Sequence, residues 1–183
     1  MEDARVVEQI VRGNREAFRL LVLRYERPLF RFLGLLGFDG TACQDLAQQT
    51  FLSAFRALAD FDPARARFST WLFTIAKHHA AHERDRAHRR HERPMARAPE
   101  ERVHSTALDP AESASLSEQV RKLNEALQSL APELRSTFLL SQVKELSLEE
   151  VAAVEKCALG TVKSRIHRAR ERLRLALAVK ETP

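Results

Sequence analysis

Positively charged side chains cluster near the carboxyl end of the sequence, between Gly160 and Arg174. This stretch holds six Lys and Arg residues and a single acid, Glu171, so its surplus equals the net charge of +5 of the whole 183-residue chain. A local surplus of this kind attracts a polyanion such as nucleic acid. The cations therefore predict a nucleic-acid contact in this stretch.

The cationic stretch has the pattern of a helix with one apolar and one polar face. Its apolar face carries Val162, Ile166, Ala169 and Leu173. Its polar face carries Thr161, Ser164, His167, Arg168 and Glu171. The capping box Ser147-Leu-Glu-Glu150 starts a shorter helix upstream, so the two helices together predict a helix-turn-helix. A solvated basic helix without a ligand is the alternative interpretation.

A helix of this kind can enter the major groove of duplex DNA. Ser164 and Arg168 are placed to contact base edges, where an Arg side chain suits guanine. Arg165 and Arg172 flank them and are placed to reach phosphates. The full set of candidate duplex-binding residues is Thr161, Lys163, Ser164, Arg165, His167, Arg168 and Arg172.

Hydrophobic periodicity predicts helices throughout the chain and no strand. Four helices precede and four follow a segment at 89–114 that has balanced charge, three prolines and little periodicity. We therefore expect an all-α fold of two small helical domains, at 1–88 and 115–183, joined by a flexible linker at 89–114. Two capping boxes, Thr41-Ala-Cys-Gln44 and Ser115-Leu-Ser-Glu118, predict where one helix of each domain starts.

Several classes of protein are disfavoured by what the sequence lacks. It has no Gly-rich phosphate loop, nucleophile elbow or His-Glu-x-x-His motif, so we expect neither an enzyme nor a cofactor. The two cysteines, Cys43 and Cys157, lie far apart and indicate a reducing compartment rather than a disulfide framework. The longest nearly apolar run, Leu29 to Phe38, is short and contains Arg31, so we expect a cytoplasmic protein without membrane insertion.

Both halves of the chain resemble one bacterial family. The run GTVKSRIHRARERLR at 160–174, preceded by LSLEEVAAV, resembles region 4 of the extracytoplasmic-function (ECF) sigma factors of the sigma-70 family. In the first half, QDLAQQTFLSAFRAL, FDPARARFSTWLFTIAKHHA and the opening GNREAFRLLVLRY resemble region 2 of the same family. The resemblance implies that 115–183 bind the minus 35 element as a duplex. It also implies that 1–88 bind core RNA polymerase and the melted minus 10 element.

The resemblance directs attention to basic side chains of the first domain for the minus 10 element. Capture of a melted strand needs cations near a loop that can hold an extruded base. The loop before Phe68 and one flank of the following helix meet this description. The candidate residues are Arg65, Arg67, Lys77, His78, His82 and Arg86. Trp71 could stack on a base, but packing in the core is the favoured interpretation of this residue.

The resemblance also implies protein partners. These are core RNA polymerase, through its beta-prime clamp helices and beta flap, and a membrane-anchored anti-sigma factor that holds the chain inactive until stress. The matching surface for polymerase is the polar side of the third predicted helix. Its candidate residues are Asp45, Gln48, Gln49 and Arg56. Leu46, Phe51 and Phe55 of that helix are assigned to the core, although an exposed Leu or Phe there could anchor a partner, and a solvated polar face is the alternative to a polymerase contact.

Three positions depart from the pattern of the family. His78 stands where Asn is usual, so the base contact of the family carries over less well to this position. Gln49 stands where an acid is common, so the same holds for the family's polymerase contact there. Lys156 replaces the glycine of the helix-turn-helix turn, where a positive φ is expected. A non-glycine residue there costs on the order of 1 kcal/mol or reshapes the turn.

Other interpretations remain open at this point. Five of the seven histidines lie between His78 and His91, but no cysteine or well-placed carboxylate completes a tetrahedral metal site. A stand-alone helix-turn-helix regulator with an N-terminal dimerisation or sensing domain would also carry the basic helix. A helical scaffold is a third possibility, and it predicts a weak salt dependence of DNA affinity.

Overall fold

The computed structural model describes residues 2–91 and 110–178, and the side chains of 2–89 and 118–178. All regular structure in these ranges is helical, without a strand, which confirms the all-α fold class. Short 3-10 turns at Arg15–Ala17 and Leu58–Asp60 connect some of the helices. The helices are α1 Glu2–Val11, α2 Phe18–Leu36, α3 Gly40–Arg56, α4 Phe68–His91, α5 Pro110–Gln128, α6 Pro132–Leu140, α7 Leu148–Glu155 and α8 Leu159–Ala178.

Helix α2 is the centre of the first domain. Its apolar residues recur at helical spacing, so one face is buried against α3 and α4 while the charged residues stay outside. The ring of Phe32 meets Phe73 of α4 edge to face, with centroids 5.6 Å apart. The buried residues of α2 are Leu21, Tyr25, Leu29, Phe32, Leu33 and Leu36.

Helix α1 is fixed to α2 by polar contacts. The hydroxyl of Tyr25 donates a hydrogen bond of 2.6 Å to Asp3, and Arg24 pairs with both Asp3 and Glu2. Burial, together with the Asp3 carboxylate, raises the pKa of Tyr25. The phenol is therefore protonated and remains a donor, which suits its position between the two helices.

Helix α3 starts differently from the sequence-based prediction. Its N-cap is Asp39, whose side chain accepts a 2.8 Å hydrogen bond from the backbone N–H of Ala42. The predicted capping box from Thr41 to Gln44 is wrong, because the helix already begins at Gly40 and Thr41 lies in its first turn. Gly37, at φ +105°, ends α2 in the left-handed conformation that glycine adopts without strain.

The second domain is built around α8. Val162, Ile166, Ala169 and Leu173 are all buried, as their helical spacing predicts. They pack against α5, α6 and α7, where the fully buried side chains include Leu127, Leu140, Val151 and Val154. The apolar face of the basic helix is thus the core of this domain.

The segment assigned to the linker is only partly described. Its first residues, 89–91, continue α4, and residues 110–114 belong to α5. Helix α5 begins at Pro110, so the predicted start at the Ser115 capping box is wrong. Proline suits a first helical position because it lacks the N–H that would be unpaired there. Residues 92–109 of the predicted linker lie outside the described residues.

The two domains are in direct contact, whereas the sequence suggested two bodies held only by a tether. Helix α4 packs on α7, and α2 packs on α5 and α6. At the end of α2, the carbonyl of Leu36 accepts a 3.0 Å hydrogen bond from Arg135, and that of Leu35 accepts one of 3.4 Å from Gln128. Long-range contacts of this kind leave no signal in local periodicity, which is why the tether alone was expected.

Candidate nucleic-acid interface

The helix-turn-helix is formed by α7, a short turn and α8. Ser147 and Glu150 form the predicted capping box: Ser147 Oγ accepts from the Glu150 N–H at 3.2 Å, and the Glu150 carboxylate accepts from the Ser147 N–H at 2.7 Å. Lys156 ends α7 at φ 53° and ψ 45°, in the left-handed region. The turn therefore keeps the backbone conformation that suits glycine, and it is not reshaped to accommodate the lysine.

Helix α8 presents a polar surface opposite its buried face. Five of the seven candidate duplex-binding residues are exposed and two, Thr161 and Arg165, are half-buried. The hydroxyl of Ser164 donates to the carbonyl of Thr161 at 2.9 Å, so its oxygen lone pairs face outward as acceptors. The exposed members are Lys163, Ser164, His167, Arg168 and Arg172.

Arg165 has intramolecular partners. Its guanidinium lies 3.4 Å from the Glu155 carboxylate and 3.9 Å from the sulfur of Cys157. Cys157 is half-buried in the turn and packs against the core as a small apolar residue. In this structure Arg165 is thus held against α7, while the other cations of α8 extend towards solvent.

The candidate minus 10 residues differ in their exposure and in the partners they contact. Arg65, His78 and His82 are exposed, and Arg86 lies 3.4 Å from Glu83 on the same helix. Arg67 and Lys77 instead contact acids of the second domain, Arg67 at 3.5 Å from Glu150 and Lys77 at 3.0 Å from Glu155. The loop before α4 is folded around Asp62, whose side chain accepts from the N–H of Ala64 at 2.9 Å.

Trp71 belongs to an aromatic cluster. Its ring centroid lies 5.1 Å from Phe61 and 5.8 Å from Phe68. Phe68 is buried, while Phe61 and Trp71 are half-buried at the edge of the core. The favoured packing interpretation of Trp71 therefore agrees with its surroundings, since both neighbours belong to its own domain.

One histidine has a structural role that sequence reasoning missed. His79 Nε2 lies 3.0 Å from Ser53 Oγ and so connects α4 to α3. Burial lowers the pKa of His79, and the neighbouring His78 and His82 lower it further. Among the described residues, no group of three or more His, Cys, Asp or Glu side chains is arranged to hold a metal ion. His91 has its side chain outside those residues.

A second surface of the first domain is an apolar groove between α2 and α3. It has a volume of about 870 Å³, and its wall includes Phe18, Val22 and Leu52. Asp45 and Gln48, two of the candidate polymerase contacts, lie on its rim; Gln49 and Arg56 are exposed but do not line it. Of the residues assigned to the core, Leu46 is buried, but Phe51 and Phe55 are half-buried and line the groove.

The exposed Leu52 could have been found from the sequence. It follows Gln48 by four residues, so it shares the polar face of α3 rather than the buried face. An apolar side chain among polar neighbours on an exposed face is a sign of a docking surface.

Comparison with known protein families gives two matches along the chain. The family described as Sigma-70 region 2 matches residues 21–90, and Sigma-70, region 4 matches residues 120–173. The first match runs from within α2 almost to the end of α4, and the second covers residues 120–128 of α5, then α6, α7 and most of α8. Among the described residues, no helix is both long and apolar enough to cross a lipid bilayer.

Sequence similarity to known proteins extends over nearly the whole chain. The RNA polymerase sigma-H factor of Pseudomonas aeruginosa is 34% identical over 182 residues, which cover 96% of this chain and 94% of that protein. The ECF RNA polymerase sigma-E factor of Escherichia coli K12 is 33% identical over 177 residues, 93% of this chain and 92% of that protein.

Two solved structures share the fold. CnrH in complex with the cytosolic domain of CnrY has a TM-score of 0.72 at 28% identity, with all of both chains covered. The sigma factor RpoE of Bartonella quintana, solved with the anti-sigma factor NepR, has a TM-score of 0.68 at 26% identity, and covers 88% of this chain and 97% of that one. Because the family matches fall in both domains and the relatives match over nearly the whole length of the chain, the chain belongs to the ECF group of the sigma-70 family of RNA polymerase sigma factors.

Proposed function

We propose that this sigma factor directs core RNA polymerase to stress-response promoters through α8. The observation that carries the proposal is the division of α8 into a fully packed apolar face and an exposed face of cations and short polar side chains. A helix fixed in this way can enter the major groove as a rigid body. Residues 1–88 are assigned to region 2, 89–114 to the linker and 115–183 to region 4, and the family matches support this division.

On the minus 35 element, Ser164 and Arg168 contact base edges. Thr161, Lys163, Arg165, His167 and Arg172 surround them and contact phosphates or the neighbouring bases. Arg165 can reach a phosphate only after leaving Glu155, which it pairs with in this structure. The other cations of the set are exposed and need no such rearrangement.

The experiment for this surface compares Arg168→Ala with Arg174→Ala in reconstituted holoenzyme. Promoters are first located by footprinting wild-type holoenzyme on genomic DNA, and binding to single-base variants of the minus 35 element is then measured. Loss of a bidentate Arg–guanine pair costs about 1–3 kcal/mol, so we expect Arg168→Ala to lose roughly fivefold or more and to relax selectivity at one base pair.

Arg174 is the matched control, because it lies farther along α8 and pairs with Glu171 at 3.2 Å. Its replacement is expected to leave the ranking of the minus 35 variants unchanged. An equal loss by Arg168→Ala on every sequence would instead assign Arg168 to a phosphate and contradict base reading.

On the minus 10 element, region 2 captures the melted non-template strand with Arg65, Arg67, Lys77, His78, His82 and Arg86. Arg65, His78 and His82 are exposed in the present arrangement and are available for a first contact. The strand gains stacking and electrostatic contacts that offset the cost of unstacking its bases, a few kcal/mol.

Core polymerase binds the groove between α2 and α3, with Asp45, Gln48, Gln49 and Arg56 contacting the beta-prime clamp helices at its margin. The apolar wall supplies the buried contact area, and the polar rim supplies orientation. Region 4 docks on the beta flap. Because its partner is cytoplasmic RNA polymerase, we place the protein in the cytoplasm.

An anti-sigma factor is the second protein partner that we propose. The complex of the similar Bartonella sigma factor with NepR supports this partnership. We propose a membrane-anchored inhibitor that covers surfaces of both domains and blocks polymerase access. The alternative of a stand-alone regulator is not favoured, because the sigma-70 family matches both halves of the chain.

A further inference from the structure

The contact between α4 and α7 contains a buried carboxylate. The side chain of Glu155, at the end of α7, is only 3% exposed, and Lys77 of α4 reaches it with its ammonium group at 3.0 Å. A buried carboxylate is stable in a folded protein only when it is paired. The contact between the domains supplies a cation for this purpose.

The same carboxylate has two partners within its own domain. Ser136 donates to one oxygen at 2.6 Å, and the guanidinium of Arg165 lies 3.4 Å from the other, which is also the oxygen that Lys77 contacts. Glu155 thus holds one cation from each of the two proposed DNA surfaces. Without Lys77, it would still keep Ser136 and Arg165, so opening the domains need not leave the carboxylate unpaired.

A neighbouring contact joins α7 to the start of α4. Thr70 donates to the Glu150 carboxylate at 2.9 Å, and Arg67 lies 3.5 Å from the same oxygen. Arg67 is 75% exposed, and a pair that is so open to water contributes little. Among the side chains that the structure describes, Glu155 and Lys77, 3% and 32% exposed, therefore form the dominant ion pair between the domains.

This arrangement competes with DNA binding. A phosphate and the Glu155 carboxylate are alternative anionic partners for Lys77 and Arg165. Promoter elements two or more duplex turns apart, about 70 Å, also cannot be contacted by domains that pack directly on each other. The closed arrangement must open before both elements are bound.

We propose that Glu155 is an intramolecular latch that holds the free sigma factor closed by occupying DNA-facing cations of both domains. The inference rests on the proposed DNA roles of Lys77 and Arg165. The remaining hydrogen bonds between the domains in the described ranges run from Gln128 and Arg135 to backbone carbonyls of α2 and from Ser69 to the carbonyl of Glu145, and they involve none of the proposed DNA residues.

The test compares Glu155→Gln with Glu149→Gln in the full chain. The amide introduced by Glu155→Gln still accepts the hydrogen bond from Ser136 but lacks the charge that attracts Lys77. Glu149 is the matched control, because it lies on the same helix, is exposed, and makes no contact between the domains that the structure shows. The radius of gyration is measured by small-angle X-ray scattering, and affinity is measured with a fluorescein-labelled single-stranded DNA oligonucleotide.

We expect Glu155→Gln to increase the radius of gyration and to tighten DNA binding about fivefold relative to Glu149→Gln, at the low end of typical coupling between sites. An unchanged radius would overturn the latch. An increased radius without tighter DNA binding would instead overturn the DNA role of Lys77, and the regulatory inference with it.

A second variant guards against misfolding of Glu155→Gln. Lys77→Gln breaks the same ion pair from the surface of the other domain and leaves Ser136 and Arg165 on Glu155. For Lys77→Gln only the radius of gyration is compared, because Lys77 belongs to the proposed DNA surface and its loss would itself weaken DNA binding. We expect the same expansion, and a Lys77→Gln chain as compact as the wild type would also overturn the latch.

Discussion

Lys156 occupies a left-handed backbone conformation in the turn that orients α8. A side chain with a Cβ atom costs about 1 kcal/mol there, and glycine removes this cost. The sequence alone identified the position and the cost, but it could not decide between a strained lysine and a reshaped turn. The structure keeps the turn, because the N–H groups of Lys156 and Cys157 still bond to the carbonyls of Ala153 and Ala152.

We therefore expect Lys156→Gly to raise the free energy of unfolding of the full chain by up to about 1 kcal/mol. Urea unfolding measures this as a higher midpoint without a change of slope. Lys156→Ala is the control, since it removes the same charge but keeps the Cβ atom. An equal gain in both variants would assign the effect to charge and contradict backbone strain.

His79 illustrates a residue whose role depends on a distant partner. The sequence alone assigned His79 no role within its run of histidines, whereas the structure pairs it with Ser53 of α3. Because burial lowers its pKa below the ordinary 6.5, the unfolded chain binds the proton more readily. The stability that the neutral ring contributes is complete above pH about 6.5 and is lost as the pH falls from that value through the lowered pKa of His79 in the folded chain.

We expect the free energy of unfolding to decrease as the pH falls below about 6.5, and His79→Gln to reduce that decrease. Glutamine can still hydrogen-bond Ser53 but does not titrate in this range. Identical pH profiles for wild type and His79→Gln would contradict the assignment.

At the scale of helices, periodicity located the packing faces better than the ends. The buried face of α8 was predicted residue by residue, because a 3.6-residue repeat determines which side chains share a side. The starts of α3 and α5 were wrong, since an N-cap is chosen by local hydrogen bonds among several polar candidates. Asp39 competes with Thr41, and its carboxylate caps the helix two residues earlier.

The groove between α2 and α3 could not be predicted from the hydrophobic pattern alone. Phe51 and Phe55 fit a core, but the packing leaves them half-buried along an open apolar surface. If polymerase binds there, a charge in the groove should weaken binding, because the complex would bury it without a partner. We expect Leu52→Glu to lower the affinity for core polymerase at least about tenfold.

Leu20→Glu is the matched control for the groove. Leu20 is 54% exposed and Leu52 is 44% exposed, but only Leu52 lines the groove. Binding of fluorescently labelled chain to core polymerase gives both affinities. Equal losses for the two variants would show that the added charge acts without regard to position, which would contradict docking in this groove.

At the scale of the whole molecule, the two-domain architecture was predictable and the contact between domains was not. Composition and periodicity separate two sets of helices, and the interrupted pattern between them marks the connection. The pairing of Lys77 with Glu155 depends on tertiary packing between domains that are distant in sequence. The sequence alone therefore placed Lys77 on the candidate minus 10 surface and gave no sign of its acidic partner.

The free protein is closed, whereas a holoenzyme that binds both promoter elements requires the two domains to be apart. Without polymerase, we expect the exposed cations to bind DNA only weakly and without full selectivity, since one domain cannot span both elements. Docking on polymerase would fix the two domains at the spacing of the promoter. Specific binding should therefore depend on polymerase rather than on a dimer of this chain.

Transcription in vitro with purified core polymerase tests the assignment most directly. With promoters located by footprinting, we expect specific initiation when wild-type chain and core are combined, and none with core alone. Arg168→Ala should reduce initiation, and the size of that reduction should change when the base pair that Arg168 contacts in the minus 35 element is substituted. Specific binding of the chain by itself as a dimer, with no promoter-dependent initiation in the presence of core, would contradict the account.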